Sequence, residues 1–108
     1  MASRVNRGEI WMYEFRPPDK RRPVVVITRQ DVIGLLDTVT VAPITSAIRG
    51  APSEVMVGAA HGLKKDSAIN LDHVQTVQQS RLRRFVGTLT SEKIAEVCRA
   101  LAIATGCA

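Results

Sequence analysis

Two arginines and two hydroxyl side chains flank the strands that the sequence predicts to be most deeply buried. Arg21 and Arg22 come directly before the β-branched run 23–28, while Thr45 and Ser46 directly follow the alternating run 38–44. A guanidinium fork matches the oxygens of a phosphate, and hydroxyl groups add further hydrogen-bond donors. These four residues therefore predict a phosphate site, unless they form only a solvated rim on which Thr45 bonds its own loop backbone.

Further cationic residues fall in segments that are predicted to be loops. Lys20 lies in a proline-rich segment, Arg49 in a loop of small residues, and Lys64 with Lys65 in a glycine-containing loop. Lysine and arginine side chains pair with the backbone phosphates of nucleic acids. The net charge of +5 suits a polyanionic partner, and it suits an ordinary basic protein equally well.

The histidines and cysteines do not form a recognisable catalytic or metal-binding motif. The chain holds two of each, His61, His73, Cys98 and Cys107, whereas a zinc ribbon needs four ligands at paired spacings. Two cysteines also exclude a disulfide-rich scaffold and are expected to remain reduced thiols. We therefore expect neither a metal nor another cofactor.

The aromatic residues are few, and most are expected to be structural. There are only four, Trp11, Tyr13, Phe15 and Phe85, and the first two share a parity that places them on one face of a strand. We expect all four in the core or in a subunit interface. Proteins bind single-stranded RNA partly by stacking its bases on aromatic rings. Because this chain has few aromatic residues, we expect RNA binding to depend more on arginines and polar groups.

The elements that would position these residues are mostly short strands. Hydrophobic alternation and turn residues predict strands at 9–15, 23–28, 38–44, 54–57, 67–71, 73–77 and 85–89. Pro43 is expected to limit the third strand, because proline cannot donate to a sheet ladder. Single helical turns are expected within 31–36 and 78–84, and the strands at 67–77 can also be one strand bent near Asp72.

One longer helix is predicted at the C-terminal end. It is capped by Thr90 or Ser91 and runs to about Thr105, before Gly106. The spacing of its apolar residues predicts one buried stripe that includes Cys98; the stripe consists of Ile94, Val97, Cys98 and Leu101. Cys98 is thus expected in the core.

Together these elements predict one domain over residues 1–108, mainly β with α, built as a small β-barrel with an appended helix. No apolar run reaches the roughly 20 residues needed to cross a bilayer. The first eight residues also lack the apolar region of a signal peptide. We therefore expect a cytoplasmic protein that does not bind membranes.

Several motifs, taken in order, resemble the MazF/PemK (Kid) toxin family. They are Arg7-Gly8-Glu9-Ile10-Trp11, Arg22 to Ile27, Val41 to Ser46, Lys65 to Asp72 followed by Val74 to Val77, and Arg81-Leu82 before Gly87-Thr88-Leu89. Each motif is common by itself, but their order and spacing cover about residues 7–105.

The resemblance implies both a fold and an activity. It implies a homodimer of SH3-like barrels with C-terminal helices, the PemK/CcdB-like fold. It implies a metal-independent endoribonuclease that cuts single-stranded RNA, such as messenger RNA, at short specific sequences. Metal-free cleavage by 2′-hydroxyl attack leaves 2′,3′-cyclic phosphate and 5′-OH ends. A cognate antitoxin would neutralise this toxin by laying its acidic C-terminal segment in the RNA groove.

The resemblance also assigns residues. Arg22 matches the catalytic arginine and is expected to stabilise charge on the phosphate, with a possible second role as acid. Thr45 matches the catalytic threonine, and Asp72 matches an aspartate of the PemK/Kid branch. The general base stays open between Asp72 and His61. The residues expected to bind RNA are Lys20, Arg21, Ser46, Arg49, Lys64, Lys65 and Gln75.

Two departures from the family pattern concern the same site. The arginine that precedes the aspartate by two residues in the PemK/Kid branch is Asn70 here, which leaves the role of Asp72 open. Many members have a longer, glycine-rich first loop with a Ser-Glu-Gln stretch, whereas the loop here is short and contains Asp19. Arg22 and Thr45, the expected catalytic pair, are both present. The shorter first loop is expected to cover the RNA groove differently.

Three other functions are compatible with the same barrel. The gyrase poison CcdB shares the architecture but acts on a protein, and such a toxin would need neither Arg22 nor Thr45. A noncatalytic barrel would bind RNA without shortening it. An inactive member of the nuclease family is the third alternative, because Asn70 and the short loop depart from the pattern.

Overall fold

The computed structural model describes residues 5–17 and 20–108, so Pro18 and Asp19 of the first loop lie outside the described residues. The strands are β1 (Glu9–Glu14), β2 (Arg21–Val26), β3 (Thr38–Thr45), β4 (Glu54–Val57), β5 (Ser67–Asn70), β6 (Gln75–Gln78) and β7 (Arg84–Thr88). The helices are α1 (Gln30–Ile33) and α2 (Ser91–Thr105), and 3₁₀ turns span Ala59–His61, Leu71–His73 and Gln79–Arg81.

The strands form one curled antiparallel sheet, a half-barrel followed by the C-terminal helix, which confirms the predicted architecture. The strand order is β4-β5-β3-β2-β1-β7, and β6 pairs with the first half of β3. Several strand boundaries differ from the prediction by one or two residues, and the difference at β2 concerns the predicted site. Arg21 and Arg22 already belong to β2, because they pair with Glu14 and Tyr13 of β1, so they lie on a strand and not in the preceding loop.

The sequence predicted that Pro43 would limit β3, and this prediction is wrong. The strand continues to Thr45, and Pro43 stands opposite Val24 of β2. Ile27 N, which directly follows β2, donates a hydrogen bond to Thr40 O of β3. Because the backbone groups of successive residues in a strand face opposite sides, the nitrogen of Pro43 faces away from β2. On that side β3 changes its partner from β6, at residues 38–41, to β5, at residues 44–45. The missing N–H of proline therefore falls in a gap between two ladders.

The sheet buries apolar side chains on both of its faces. Val25 belongs to a first apolar cluster, which also contains Ile10, Ile44, Ile69 and Leu71 and is covered by α2. Val24 and Val26 belong to a second apolar cluster with Trp11, Tyr13, Val39, Val41 and Leu82. This confirms that the β-branched run forms a strand buried on both faces, and that Trp11 and Tyr13 share one face.

The turn Ala59–His61 closes the curl by packing against β7, the far edge of the sheet. A Cβ atom on Gly87 would lie 2.1 Å from the carbonyl oxygen of His61. A Cβ atom on Gly62, whose φ is +87°, would lie 2.3 Å from the carbonyl oxygen of Val86. Only glycine lets the two backbones approach this closely.

Helix α2 begins and ends as predicted, but its buried stripe is rotated. The Thr90 side chain accepts from Lys93 N, and Gly106 adopts the left-handed conformation with φ +74°. Val97 and Ala100 are the buried residues, and Ile94 and Leu101 of the predicted stripe are partly buried against the first apolar cluster. Cys98 is exposed, so its predicted place in the core is wrong; its Sγ accepts instead from Arg7 Nη2 at 3.2 Å.

Within the described ranges, no helix combines the length and the apolar character needed to cross a membrane.

Candidate functional site

Arg22 and Thr45 come together through the register of β2 and β3. The ladder pairs Val26 with Val41, Val25 with Ala42 and Val24 with Pro43. The ladder ends there, with Val24 and Pro43 on one face of the sheet. Because alternate residues of a strand point to the same side, Arg22 shares the face of Val24 and Thr45 that of Pro43, so both lie on one face at neighbouring ends of β2 and β3.

Several chain segments meet at this end of the sheet, which we call the Arg22 end. It comprises the end of β1, the start of β2, the end of β3 and the start of β5, because Arg21 pairs with Glu14 and Thr45 with Ala68. Lys20 immediately precedes β2. Lys64 and Lys65 lie within three residues of Ser67, which starts β5. The sheet thus collects cations that are far apart in the sequence.

These cations are exposed, and none of them forms an ion pair with another residue that the structure describes. Lys20, Arg21, Arg22, Arg49, Lys64 and Lys65 are all exposed. In the part of the chain that the structure describes, the ion pairs are Arg29–Asp31 and Lys93–Glu96, and neither includes a residue of the predicted site. Their charges are therefore available to a polyanion.

Arg21 and Arg22 do not act on the same face. Successive side chains of a strand point to opposite sides. Arg22 shares the face of Val24 and Thr45, whereas Arg21 shares the face of Val25 and the first apolar cluster. Only Arg22 is therefore placed to act together with the Thr45 hydroxyl.

The Thr45 hydroxyl makes the local bond that the sequence offered as an alternative. Its oxygen accepts from Ala47 N at 3.1 Å. Because this bond uses the oxygen as acceptor, the hydroxyl proton is still available to a ligand. The bond fixes the side chain, which is half-buried, while the neighbouring Ser46 is exposed. The local bond is thus compatible with a site.

Glu54 orders the loop that carries Arg49, a role that the sequence alone did not indicate. Its carboxylate accepts from Arg49 N at 3.2 Å and from Ala51 N at 3.0 Å. The loop 46–53 returns the chain from the end of β3 to the start of β4. Arg49 is therefore presented on a fixed backbone.

Asp72 lies in the turn between β5 and β6 and belongs to a small polar network. Ser53 Oγ donates to Asp72 Oδ2 at 2.5 Å, and Asp72 N donates to Asn70 Oδ1 at 3.0 Å. The Asn70 amide nitrogen also lies 3.1 Å from His73 Nδ1. Among the described residues, no hydrogen bond joins Asp72 to Arg22 or Thr45. Asn70 therefore holds the turn of Asp72.

In the described part of the chain, neither His61 nor Gln75 makes a hydrogen bond with Arg22 or Thr45. His61 Nδ1 accepts from Gly58 N at 3.2 Å, within the turn that packs on β7. Gln75 is exposed and pairs with Val41, four residues before Thr45 and thus about 13 Å away along β3. No three described side chains of His, Cys, Asp or Glu are grouped so that they could hold a metal ion.

Comparison with known proteins gives consistent matches over nearly the whole chain. The profile of the PemK-like, MazF-like toxins of type II toxin–antitoxin systems matches residues 6–105. The Mycobacterium tuberculosis (strain ATCC 25618 / H37Rv) protein named "Probable endoribonuclease MazF5" is 38% identical over 102 residues, which cover 94% of this chain and 93% of that protein.

Solved structures share the same fold. The structure of Mycobacterium tuberculosis toxin MazF-mt6 has a TM-score of 0.83 at 36% identity, covering 91% of this chain and 96% of that one. A mycobacterial structure described as an endoribonuclease in complex with its cognate antitoxin also has a TM-score of 0.83, covering 94% and 95%. Its identity is only 20%, so that likeness is one of fold alone.

Proposed function

This chain belongs to the PemK-like, MazF-like toxin family of type II toxin–antitoxin systems, and from that premise we propose that it is a metal-independent, sequence-specific endoribonuclease acting on single-stranded RNA. The observation that best supports the proposal is that Arg22 and Thr45 lie on one face at neighbouring ends of β2 and β3, at an end of the sheet where exposed cations collect. A gyrase poison or a noncatalytic barrel would need neither side chain.

The proposed reaction is an attack within the RNA backbone. The 2′-hydroxyl oxygen bonds to the adjacent phosphorus, and the bond from phosphorus to the 5′-oxygen breaks. The 2′-hydroxyl proton passes to a base, and the leaving 5′-oxygen gains a proton. The products are a 2′,3′-cyclic phosphate and a 5′-OH end. Arg22 holds the negative charge that develops on the nonbridging oxygens, and Thr45 donates a hydrogen bond to the same phosphate.

For the base, the hydrogen bonds favour Asp72 over His61. His61 Nδ1 already accepts from Gly58 N, so in the neutral ring the proton is on Nε2 and that atom cannot accept another. Asp72 uses one carboxylate oxygen for Ser53, which leaves the other available. Arginine itself stays protonated and is a poor base. We therefore assign Arg22 to charge stabilisation and Asp72 to proton transfer.

The exposed cations serve RNA binding in this proposal. Lys20, Arg49, Lys64 and Lys65 pair with phosphates along the strand, while Arg21 and Gln75 contact RNA beyond the scissile phosphate. Phosphate pairing releases counterions and makes affinity fall with salt. The same exposed charges suit the acidic C-terminal segment of a cognate antitoxin, which would cover the site and silence it. Toxin, antitoxin and messenger RNA would meet in the cytoplasm.

We propose that the homodimer forms through a groove beside β3, the strand that begins at Thr38. The groove has a volume of about 480 Å³ and is lined by Ile27, Val32, Leu36, Leu101 and several threonines. Leu36 is 48% exposed, so an apolar surface faces outward there. A second copy of the chain would cover it. Light scattering should give twice the chain mass for the wild type and the chain mass for Leu36→Arg.

The proposed activity is tested with a long, sequence-diverse and weakly structured RNA in excess EDTA. Wild-type protein should cut it at one shared short sequence, identified by sequencing the 5′ ends of the fragments. Arg22→Ala should leave the RNA intact. Arg99→Ala, which removes an exposed arginine of α2, should cut as the wild type does. Intact RNA with folded, antitoxin-free wild-type protein would contradict the proposal, as would cuts that persist in Arg22→Ala.

A further inference from the structure

The ring of Tyr13 is held rigidly beside the candidate site. It is 9% exposed and belongs to the second apolar cluster. Phe15 packs edge-to-face against it, with the ring centroids 4.9 Å apart. The Arg81 guanidinium carbon lies 5.1 Å from the ring centroid, and Arg81 Nη2 donates to Glu14 O at 3.4 Å. The orientation of the phenol is therefore fixed by packing on two sides.

The Tyr13 hydroxyl is not used by this packing. Among the described residues, it makes no hydrogen bond, and no buried side-chain polar atom lacks a partner. The hydroxyl must therefore reach solvent although the ring is buried. Buried tyrosines ordinarily direct the hydroxyl to a hydrogen-bond partner, so a fixed phenol that offers its hydroxyl to solvent has an open hydrogen-bonding position.

This open position adjoins Arg22. Tyr13 is the direct cross-strand partner of Arg22 in the ladder of β1 and β2. Such residues share a face and have Cβ atoms about 4.5–5.5 Å apart. Tyr13 and Arg22 are therefore neighbours on the face that also carries Thr45.

We propose that the Tyr13 hydroxyl donates a hydrogen bond to a nonbridging oxygen of the phosphate that Arg22 binds. The inference rests on the proposed nuclease activity and adds a third donor to it, besides Arg22 and Thr45. A preplaced neutral donor gains strength as negative charge grows on that oxygen, and it needs no rearrangement during the reaction. Tyr13 thus contributes to the cleavage rate through its hydroxyl, while its ring is too buried to stack on a base.

Tyr13→Phe removes the hydroxyl and keeps the ring that Phe15 and Arg81 contact. Under single-turnover conditions, the cleavage rate of the variant should be about 10- to 100-fold below that of the wild type, as expected for a lost hydrogen bond to a charged group. The melting temperature should stay within a few degrees. Thr88→Val removes an exposed hydroxyl at the other end of the sheet and should cut at the wild-type rate.

Sulfur substitution in the RNA distinguishes contact from a structural role. Replacing a nonbridging oxygen of the scissile phosphate by sulfur weakens the hydrogen bond that it accepts. For one of the two diastereomers, the wild type should therefore slow more than Tyr13→Phe does. Equal slowing of both proteins by both diastereomers, or a Tyr13→Phe rate within twofold of wild type, would overturn the inference. Failure of the wild type to cut RNA would refute the proposed function and this inference with it.

Discussion

Gly87→Ala tests how the half-barrel is closed. The added Cβ would lie 2.1 Å from the carbonyl oxygen of His61 and 2.8 Å from its carbonyl carbon. Both are backbone atoms, so no side-chain rotation relieves the clash. Either β7 shifts or the turn Ala59–His61 detaches. Overpacking typically costs about 1–3 kcal/mol, and we expect the upper end, about 3 kcal/mol, because both clashing atoms belong to the backbone.

That loss should be plain in thermal unfolding. In domains of about this size, 1 kcal/mol corresponds to a shift of roughly 4–8 °C, so a loss of about 3 kcal/mol should lower the melting temperature by about 12–24 °C. Gly34→Ala is the matched control, because no atom lies within 4 Å of its added Cβ and its φ is −71°. It should be neutral or stabilising by about 0.4–1 kcal/mol.

Urea unfolding, followed by the fluorescence of the single tryptophan Trp11, gives the free energies directly. The proteins are compared at one concentration, since association stabilises the folded state. Equal midpoints for Gly87→Ala and Gly34→Ala would refute the closure of the sheet by the turn at His61.

Other predictions concern RNA binding, the helix cap and the exposed thiol. Lys64→Ala should weaken binding of an uncleavable 2′-deoxy RNA analogue. The slope of log affinity against log salt concentration should fall in magnitude by about 0.7 per lost phosphate contact. Lys93→Ala, which removes a lysine paired with Glu96, should leave that slope unchanged. Thr90→Ala should cost about 1 kcal/mol in urea unfolding, because Lys93 N loses its cap; no loss would contradict the cap. Cys98 should react with a maleimide in the folded protein, and protection until unfolding would contradict its exposed position.

The sequence was sufficient for features that depend on local patterns. Alternation and turn residues predicted the strands, and Thr90 and Gly106 marked the ends of the helix. The buried strand that carries Thr45 was also predicted from pattern alone, although Thr45 ends β3 and does not follow it. These features depend on neighbouring residues, so a single sequence contains the information for them.

The errors arose where distant segments decide the outcome. The spacing of Ile94, Val97 and Leu101 is compatible with a buried Cys98. In the structure, α2 contacts β4 and the turn Leu71–His73, and Ala100 is buried in place of Cys98. Pro43 is tolerated because β3 changes partners beside it. The role of Glu54 in ordering the loop of Arg49 is likewise visible only once the loop is folded.

The most direct test of the Arg22–Thr45 site uses one short RNA that contains a mapped cleavage sequence. The cleavage rate is measured in EDTA for the all-RNA strand and for a strand with a single 2′-deoxy nucleotide at the cut. We expect wild-type protein to cut only the first strand, leaving a cyclic phosphate, and Arg22→Ala to cut it about 10²–10³-fold more slowly with an unchanged melting temperature. Cleavage of the 2′-deoxy strand at the same position, or a wild-type rate for Arg22→Ala, would contradict the account.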